Sequence, residues 1–445
     1  MSICYIVFGL LARDLRSLKR SKALLQKCNI FKIFFKNCSF ALKAGWIAGF
    51  MAVSERAGGV FLDLLFNNYH QIIGGMIMKK LLLSSAAVCG LAMIATPAAA
   101  QVQLELGGYF KGYGAYVDQD EAGTQEVNDF DIIRDTEIHF GGETTLDNGL
   151  TVGAHVEVTG DAETGDWSAD ESYAYFSGSW GRVNFGAEDG AGYLLQVAAP
   201  SADSNIDGIR QYVQPVNYSV AGIGGTTLTE LTTDGLDYDM DASGKADKVT
   251  YLSPILNGFQ LGASYSPDTD GANDKEGIGS DDVSSPETIG ETYELAVRYE
   301  GQFNNVGVIA GAGYAHGDNE VELAGEDDRQ AWNVGLDLDF GPIGVGVIYT
   351  EDNQAIDGAG TDDEETFVVG VDYTTGAFKL GASYFNVDNF DGVEDDEAER
   401  YSAGVTYTYG PGMTFRGSIG YVDTDSIIAT DPDATYVTLG TQVNF

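Results

Sequence analysis

From Gln101 to Phe445 apolar and polar residues alternate in short stretches. Phe367, Val369, Val371 and Tyr373 form one apolar face, while Thr366, Gly370 and Asp372 take the other. Phe378, Leu380, Ala382 and Tyr384 alternate with Lys379, Gly381 and Ser383 in the same way. So do Tyr293, Leu295, Val297 and Tyr299 with Glu294, Arg298 and Glu300, and Val334, Leu336, Leu338 and Phe340 with Asn333, Asp337 and Asp339. Because side chains on a strand point to alternate faces, each stretch predicts a strand with one oily and one wet side. Sixteen such stretches are counted, the last ending at Phe445. An even number of two-faced strands, none a membrane helix, predicts an all-β fold: a 16-stranded antiparallel transmembrane β-barrel.

Turn lengths test this independently, since residues directly opposite in an antiparallel pair share a face. Gly341-Pro342 as a two-residue turn pairs Phe340 with Ile343, and Gly in the first central position suits type II′. Gly410-Pro411-Gly412 pairs Tyr409 with Met413, Thr374 to Ala377 pairs Tyr373 with Phe378, and Asp147-Asn148-Gly149 pairs Leu146 with Leu150. The faces agree each time. Seven short turns, near residues 148, 180, 256, 303, 341, 375 and 411, alternate with eight longer connections near 123, 165, 217, 278, 322, 357, 392 and 428. Short turns at one rim and long loops at the other are the asymmetry of an outer-membrane barrel, periplasmic turns against extracellular loops. Phe259 and Tyr265, Phe378 and Tyr384, and Phe415 and Tyr421 lie six apart on the outward face, where two interfacial aromatic girdles belong.

The amino terminus reads differently. Met78-Lys79-Lys80, the apolar run Leu81 to Ala95 and Thr96-Pro97-Ala98-Ala99-Ala100 fit a signal peptide over residues 78–100, cleaved before Gln101. Residues 1–77 lie upstream of it and read as a non-structural extension from an over-extended start, with Met76 or Met78 as initiator; a cytoplasmic extension is the alternative. The barrel is assigned to 101–445.

Composition changes at the same place. Residues 1–100 hold 12 of the 24 basic and 3 of the 67 acidic residues, leaving 12 basic and 64 acidic, a net charge of −52 for 101–445. That balance repels nucleic acid, whose binding depends on neutralising phosphates with Lys and Arg. It suits an exposed surface or a cation-attracting passage. All four cysteines (Cys4, Cys28, Cys38, Cys89) precede Gln101, so 101–445 forms no disulfide and rigidity has to come from a closed hydrogen-bond ladder.

Three segments carry a resemblance: AYFSGSWGRVNFGAEDGAGYL (Ala174 to Leu194), VTYLSPILNGFQLGASYSP (Val249 to Pro267) and the closing YVTLGTQVNF. With the strand count, they make residues 101–445 similar to the Gram-negative general porins, particularly the alphaproteobacterial type. The resemblance implies a homotrimeric, water-filled channel in the outer membrane of a Gram-negative bacterium, among outer-membrane lipid and lipopolysaccharide, passing small hydrophilic solutes and ions. It also implies that the third long loop, about Asp189 to Ala246, folds inward as a constriction. Its acids, Asp203, Asp207, Glu230, Asp234, Asp237, Asp239 and Asp241, would then face basic residues on the wall. Parity turns Lys111, Arg182, Lys248, Arg298, Lys379, Arg400 and Arg416 inward, and Lys111, Arg298, Lys379 and Arg416 are the wall candidates nearest mid-height. Arg134 takes outward parity. Phe445 resembles the carboxyl-terminal aromatic through which such barrels are recognised for assembly. An excess of lumen carboxylates predicts weak cation selectivity.

Competing chemistry is thin. Of the histidines after Gln101 (His139, His155, His316), the hairpin register sets His139 opposite Glu157, both inward, and a hydrogen-bonded lumen pair is the reading adopted over half a metal site. No catalytic constellation is present: Gly262-Ala263-Ser264-Tyr265-Ser266 lies in a strand, not in the strand-turn-helix that a nucleophile elbow needs. No cofactor and no metal site are expected; acidic runs such as Asp362 to Glu365 or Asp395 to Glu397 offer the oxygen ligands surface Ca²⁺ would take, but solvated charge is the reading adopted. A calcium-binding surface adhesin would show a repeated G-G-x-G-x-D unit, and none occurs. A substrate-selective barrel channel is the remaining alternative.

Overall fold

The computed structural model describes residues 102–120, 126–160, 168–202, 206–207, 209–211, 213–217, 236–269, 289–320, 327–425 and 433–445. The leader and the extension before it lie outside the described residues. The first five strands are β1 (Gln103–Gln119), β2 (Phe130–Thr145), β3 (Thr151–Thr159), β4 (Ser168–Gly178) and β5 (Gly181–Ala187). A short helix α1 (Ala191–Leu194) and a two-stranded hairpin, β6 (Ile206–Asp207) with β7 (Arg210–Gln211), follow in the third long connection. The chain then resumes with β8 (Asp247–Leu252), β9 (Phe259–Ser266), β10 (Ile289–Phe303), β11 (Val306–Asn319), β12 (Arg329–Phe340) and β13 (Ile343–Asp352). The last five strands are β14 (Glu364–Thr375), β15 (Phe378–Asp388), β16 (Glu397–Gly410), β17 (Met413–Asp425) and β18 (Asp433–Asn444).

All of these strands except β6 and β7 form a single closed antiparallel barrel, so sixteen staves are present as expected. Closure pairs β1 with β18, Lys111 opposite Gln442 and Tyr113 opposite Gly440, leaving no edge with unpaired backbone groups. At the short-turn rim the Phe445 amide donates to the Gly108 carbonyl (3.1 Å), tying the last residue across the seam.

The short turns fall where the pattern put them. Phe340 pairs with Ile343 around Gly341, whose φ of +68° fits the first position of the type II′ turn. Two expected pairings shift. Thr375 pairs with Phe378, which shortens that turn to Gly376-Ala377 and sets Tyr373 opposite Leu380; both faces are kept because the slip is an even number of residues. Near Gly410 the register breaks between Thr408 and Gly410, so Tyr409 sits in a bulge and Met413 pairs with Gly410.

Outside, the barrel is oily: Leu439 is 69% exposed, Leu295 62% and Leu261 57%, a surface suited to hydrocarbon and not to water. The aromatic girdles are built as cross-strand pairs. At the short-turn end Phe259 stands against Tyr299 and Phe378 against Tyr407, with ring centroids 4.7 and 4.8 Å apart. At the other end Tyr265 meets Tyr293 (5.0 Å) and Tyr384 meets Tyr401 (4.9 Å).

The inner face departs from the expected wet side. Toward the long-loop rim Val117, Ile348, Val368, Phe385, Val387, Val422 and Tyr436 point inward and are buried in an apolar cluster. Ala199, Ile209, Val216, Leu236 and Tyr238 of the third long connection complete that cluster, together with Phe390. The infolded loop covers this part of the wall, so apolar residues there are shielded from lumen water.

Candidate functional site

The infolded loop is pinned where it leaves the wall. The Ala191 amide donates to Ser264 Oγ (2.8 Å) and the Gly192 amide to Glu294 Oε2 (2.7 Å), while Ser243 Oγ donates to Glu294 Oε1 (2.5 Å). Glu294 is only 2% exposed on β10, so its carboxylate answers donors from both ends of the loop. Such a buried carboxylate is tolerated because it is hydrogen-bonded.

From there the loop crosses the inner wall on a seat of glycines. A Cβ built on Gly311 or Gly335 would lie 2.9 or 2.6 Å from Val197, one on Gly346 2.5 Å from Pro200, and one on Gly381 2.8 Å from the Ala202 nitrogen. At Gly370 it would lie 2.0 Å from the Pro200 carbonyl oxygen. Residues 197–202 therefore step across β11, β12, β13, β14 and β15 in order, side-chain atoms of Val197 and Pro200 pressing on the first three and loop backbone on the last two, as only hydrogen at these wall positions permits. Arg298 Nη1 holds the same pass by donating to the Gln196 carbonyl (2.6 Å).

The return pass alternates buried apolar residues with its acids. Leu236, Tyr238 and Met240 are buried, while Asp237, Asp239 and Asp241 between them stay partly open. An extended segment laid on an apolar wall puts alternate residues on opposite sides. The two passes are joined side by side: Gln196 Nε2 donates to the Tyr238 carbonyl (2.7 Å), the Met240 amide to Gln196 Oε1 (2.8 Å), and the Ala199 amide to the Tyr238 hydroxyl (3.0 Å).

Charge in the loop is paired largely within the loop. Arg210 contacts Asp239 (2.7 Å), Asp241 (2.8 Å) and Asp189 (3.5 Å). Lys245 reaches Asp189 (2.8 Å) and crosses to the wall at Glu171 (2.6 Å) and Asp170 (3.8 Å). A bulge arms that wall. Val156 pairs with Ser172 but Val158 with Ala169, so Asp170 and Glu171 together oppose Glu157. The inner face of β2 to β4 thus carries Glu137, Glu157, Asp170 and Glu171, and the loop carries Glu188, Asp189, Asp239 and Asp241. Against these eight carboxylates stand Arg182, Arg210, Lys245 and Lys248, whose ammonium donates to the Glu188 carbonyl, an excess of four negative charges when all are ionised. Burial pushes Glu188 up to about 7, against the two hydrogen bonds that Asn184 donates to its oxygens. Burial likewise raises Asp189 and Asp239, opposed by Lys245 and Arg210 respectively.

The wall candidates scatter. Lys111 faces inward but is 3% exposed and paired with Asp135 (3.3 Å) above the Tyr109 ring. Arg298 bonds Glu300 (2.7 Å) besides the loop carbonyl. Lys379, 39% exposed, pairs with Asp372 (3.0 Å). Arg416 contacts Thr414 Oγ1 (3.3 Å). These contacts are to neighbouring wall residues or, for Arg298, also to a loop carbonyl. Asp203, Glu230 and Asp234 lie outside the described residues, and for Asp207 only the backbone, in β6, is described.

Sequence reasoning passed over Arg210 and Lys245, although they are the sole basic residues between 189 and 246. The register expected of the β2–β3 hairpin is present, with His139 opposite Glu157 and its Nδ1 3.7 Å from Glu157 Oε1. The nearer partners are others: His139 Nε2 bonds Glu137 Oε1 (2.8 Å), and Glu157 Oε1 bonds His155 Nε2 (2.7 Å).

A closed barrel with an oily, aromatic-belted exterior and a charged bore narrowed by its third loop defines an outer-membrane diffusion channel. The family model for Gram-negative porins matches residues 84–426, and the chain belongs to that family. Its fold is similar to that of the anion-selective porin from Comamonas acidovorans (TM-score 0.53, 18% identity, 78% of this chain and 100% of that one). It is also similar to the trimer form of OmpT, an outer membrane protein of Vibrio cholerae (TM-score 0.52, 16% identity, 77% of this chain and 99% of that one). No curated protein sequence matches the chain. The protein is a general diffusion channel of the Gram-negative outer membrane.

Proposed function

We propose that this channel is weakly cation-selective, and that selection happens between the infolded loop and the inner face of β2 to β4. The observation that carries this is the excess of carboxylates over Arg182, Arg210, Lys245 and Lys248 at that level. Carboxylates lining a pore favour cations, and incomplete compensation makes the preference modest. Small hydrophilic solutes pass by size, without a saturable site. The working unit is a homotrimer in outer-membrane lipid and lipopolysaccharide, Phe445 serves as the assembly signal, and residues 78–100 are removed on export. OmpT, of the same fold, has a trimer form.

Reversal potentials across a planar bilayer in a KCl gradient test the selectivity. Potassium preference is expected, and chloride preference would refute the proposal. Liposome swelling with sugars of graded size should show a cutoff without chemical preference.

The preference should also depend on pH. Glu188, held near about 7, is a carboxylate above that value and neutral below it. Lowering the pH from about 8 to about 6 therefore removes negative charge, because a group titrates mainly within one unit of its pKa. The potassium-to-chloride ratio is expected to fall over this window, and Glu188→Gln should flatten the curve near pH 7. An unchanged curve in that variant would exclude Glu188 as its source.

A further inference from the structure

Among the described residues, one lumen cluster sets two histidines beside carboxylates of the constriction, and the charge balance makes no use of those histidines. His139 and Glu137 on β2 and His155 and Glu157 on β3 all face the bore near mid-height. The ligating atoms of His139, His155 and Glu157 lie within 4.8 Å of one another. Glu157 Oε1 sits 2.7 Å from His155 Nε2 and 3.7 Å from His139 Nδ1. Donors about 2.1 Å from a tetrahedral zinc ion lie roughly 3.4 Å apart, a spacing those two distances bracket.

We propose that His139 Nδ1, His155 Nε2 and Glu157 Oε1 form a binding site for one divalent transition-metal ion, of which zinc fits best, on the wall of the channel.

Three features separate this cluster from an incidental group of polar residues. The other nitrogen of His139 is already engaged: Nε2 contacts Glu137 Oε1 (2.8 Å), and the Tyr109 hydroxyl donates to Glu137 Oε2 (2.7 Å). A carboxylate on the far ring nitrogen fixes tautomer and orientation and raises the basicity of the ligating one, as in carboxylate-histidine-zinc arrangements. The imidazole of His155 is likewise braced, with Tyr173 at 5.4 Å and the His139 ring edge-on at 5.7 Å. The donor set itself is selective, since two imidazoles and a carboxylate favour zinc, copper or nickel over the all-oxygen preference of magnesium and calcium. Three protein ligands leave the fourth position open to the bore. On binding, the ion takes the place of any proton shared between His155 and Glu157.

The test is isothermal titration of the folded, detergent-solubilised protein with zinc chloride, repeated in tenfold excess magnesium. One zinc per chain is expected, unaffected by magnesium and removed by EDTA. His139→Ala and His155→Ala should each abolish that binding, and Glu137→Ala, which leaves all three ligands in place, should weaken it about 10- to 100-fold. Zinc should also lower potassium conductance reversibly in the unsubstituted channel and leave it unchanged in His155→Ala. Heat-modifiable migration on gels confirms that each variant is folded. His316, Asp318 and Asp328 form a separate group. Binding that survives both single histidine variants but disappears in His316→Ala would overturn the proposal. So would competition by magnesium at tenfold excess, the mark of unspecific attraction to carboxylates.

Discussion

Arg210→Ala is expected to raise the potassium-to-chloride permeability ratio and to loosen the constriction loop. The guanidinium is the common partner of Asp189, Asp239 and Asp241, at 3.5, 2.7 and 2.8 Å, and it lies over the Tyr193 ring at 4.6 Å. Asp189 is 6% exposed and Asp239 13%, so removal of the cation leaves two shielded carboxylates short of compensation. Breaking a buried ion pair from one side destabilises by about 3–5 kcal/mol; here roughly 2–4 is expected, because Asp241 is 30% exposed and screened. The electrostatic effect on a passing ion is smaller but directional. One unit charge about 5 Å away in a water-like dielectric is worth ~0.8 kcal/mol, roughly a fourfold change in local ion ratio. Reversal potentials at pH 8, where the carboxylates are ionised, read the charge effect, and single-channel conductance reads the loop. Arg210→Lys should retain part of both, since an ammonium supplies charge without the fork that spans several acids. A permeability ratio unchanged in Arg210→Ala would show that ions do not pass beside this network.

The fate of Arg210 also marks how far the sequence could be read. Strand count, turn positions and girdles were legible because each depends on local rules: a period of two, and turns of fixed length and chemistry. Parity assigned Lys111, Arg298, Lys379 and Arg416 to the inner face. It gave the side of the sheet and nothing about the neighbour, which is why Lys111 turns out to be buried against Asp135 and Arg298 to hold a loop carbonyl. The bulge that aims both Asp170 and Glu171 at the bore breaks the period that parity relies on. Inward Ile348 and Phe385 contradict the wet-face rule for a tertiary reason, since they lie under a loop whose path no strand pattern specifies.

The glycine seat gives the sharpest test of that path. Gly370→Leu is expected to lower single-channel conductance while leaving the barrel assembled. A Cβ at this position meets the Pro200 carbonyl oxygen at 2.0 Å, its carbonyl carbon at 3.0 Å and its nitrogen at 3.1 Å, all backbone atoms without a flexible end to swing aside. The loop therefore has to move off the wall, and the only free direction is into the bore. Overpacking of this kind costs about 1–3 kcal/mol, too little to undo a barrel closed by sixteen ladders. The ladder itself is untouched, because Gly370 pairs through its backbone with Gly346 and Ser383. The pins at Ser264 and Glu294 lie at the other end of the pass, so the segment near Pro200 shifts while α1 stays anchored. Gly410→Ala serves as the control, since nothing lies within 4 Å of a Cβ there and conductance should match the unsubstituted channel. If Gly370→Leu conducts like the control with the same sugar cutoff, the loop does not lie against β14 in the working channel, and the constriction has to be sought elsewhere along the bore.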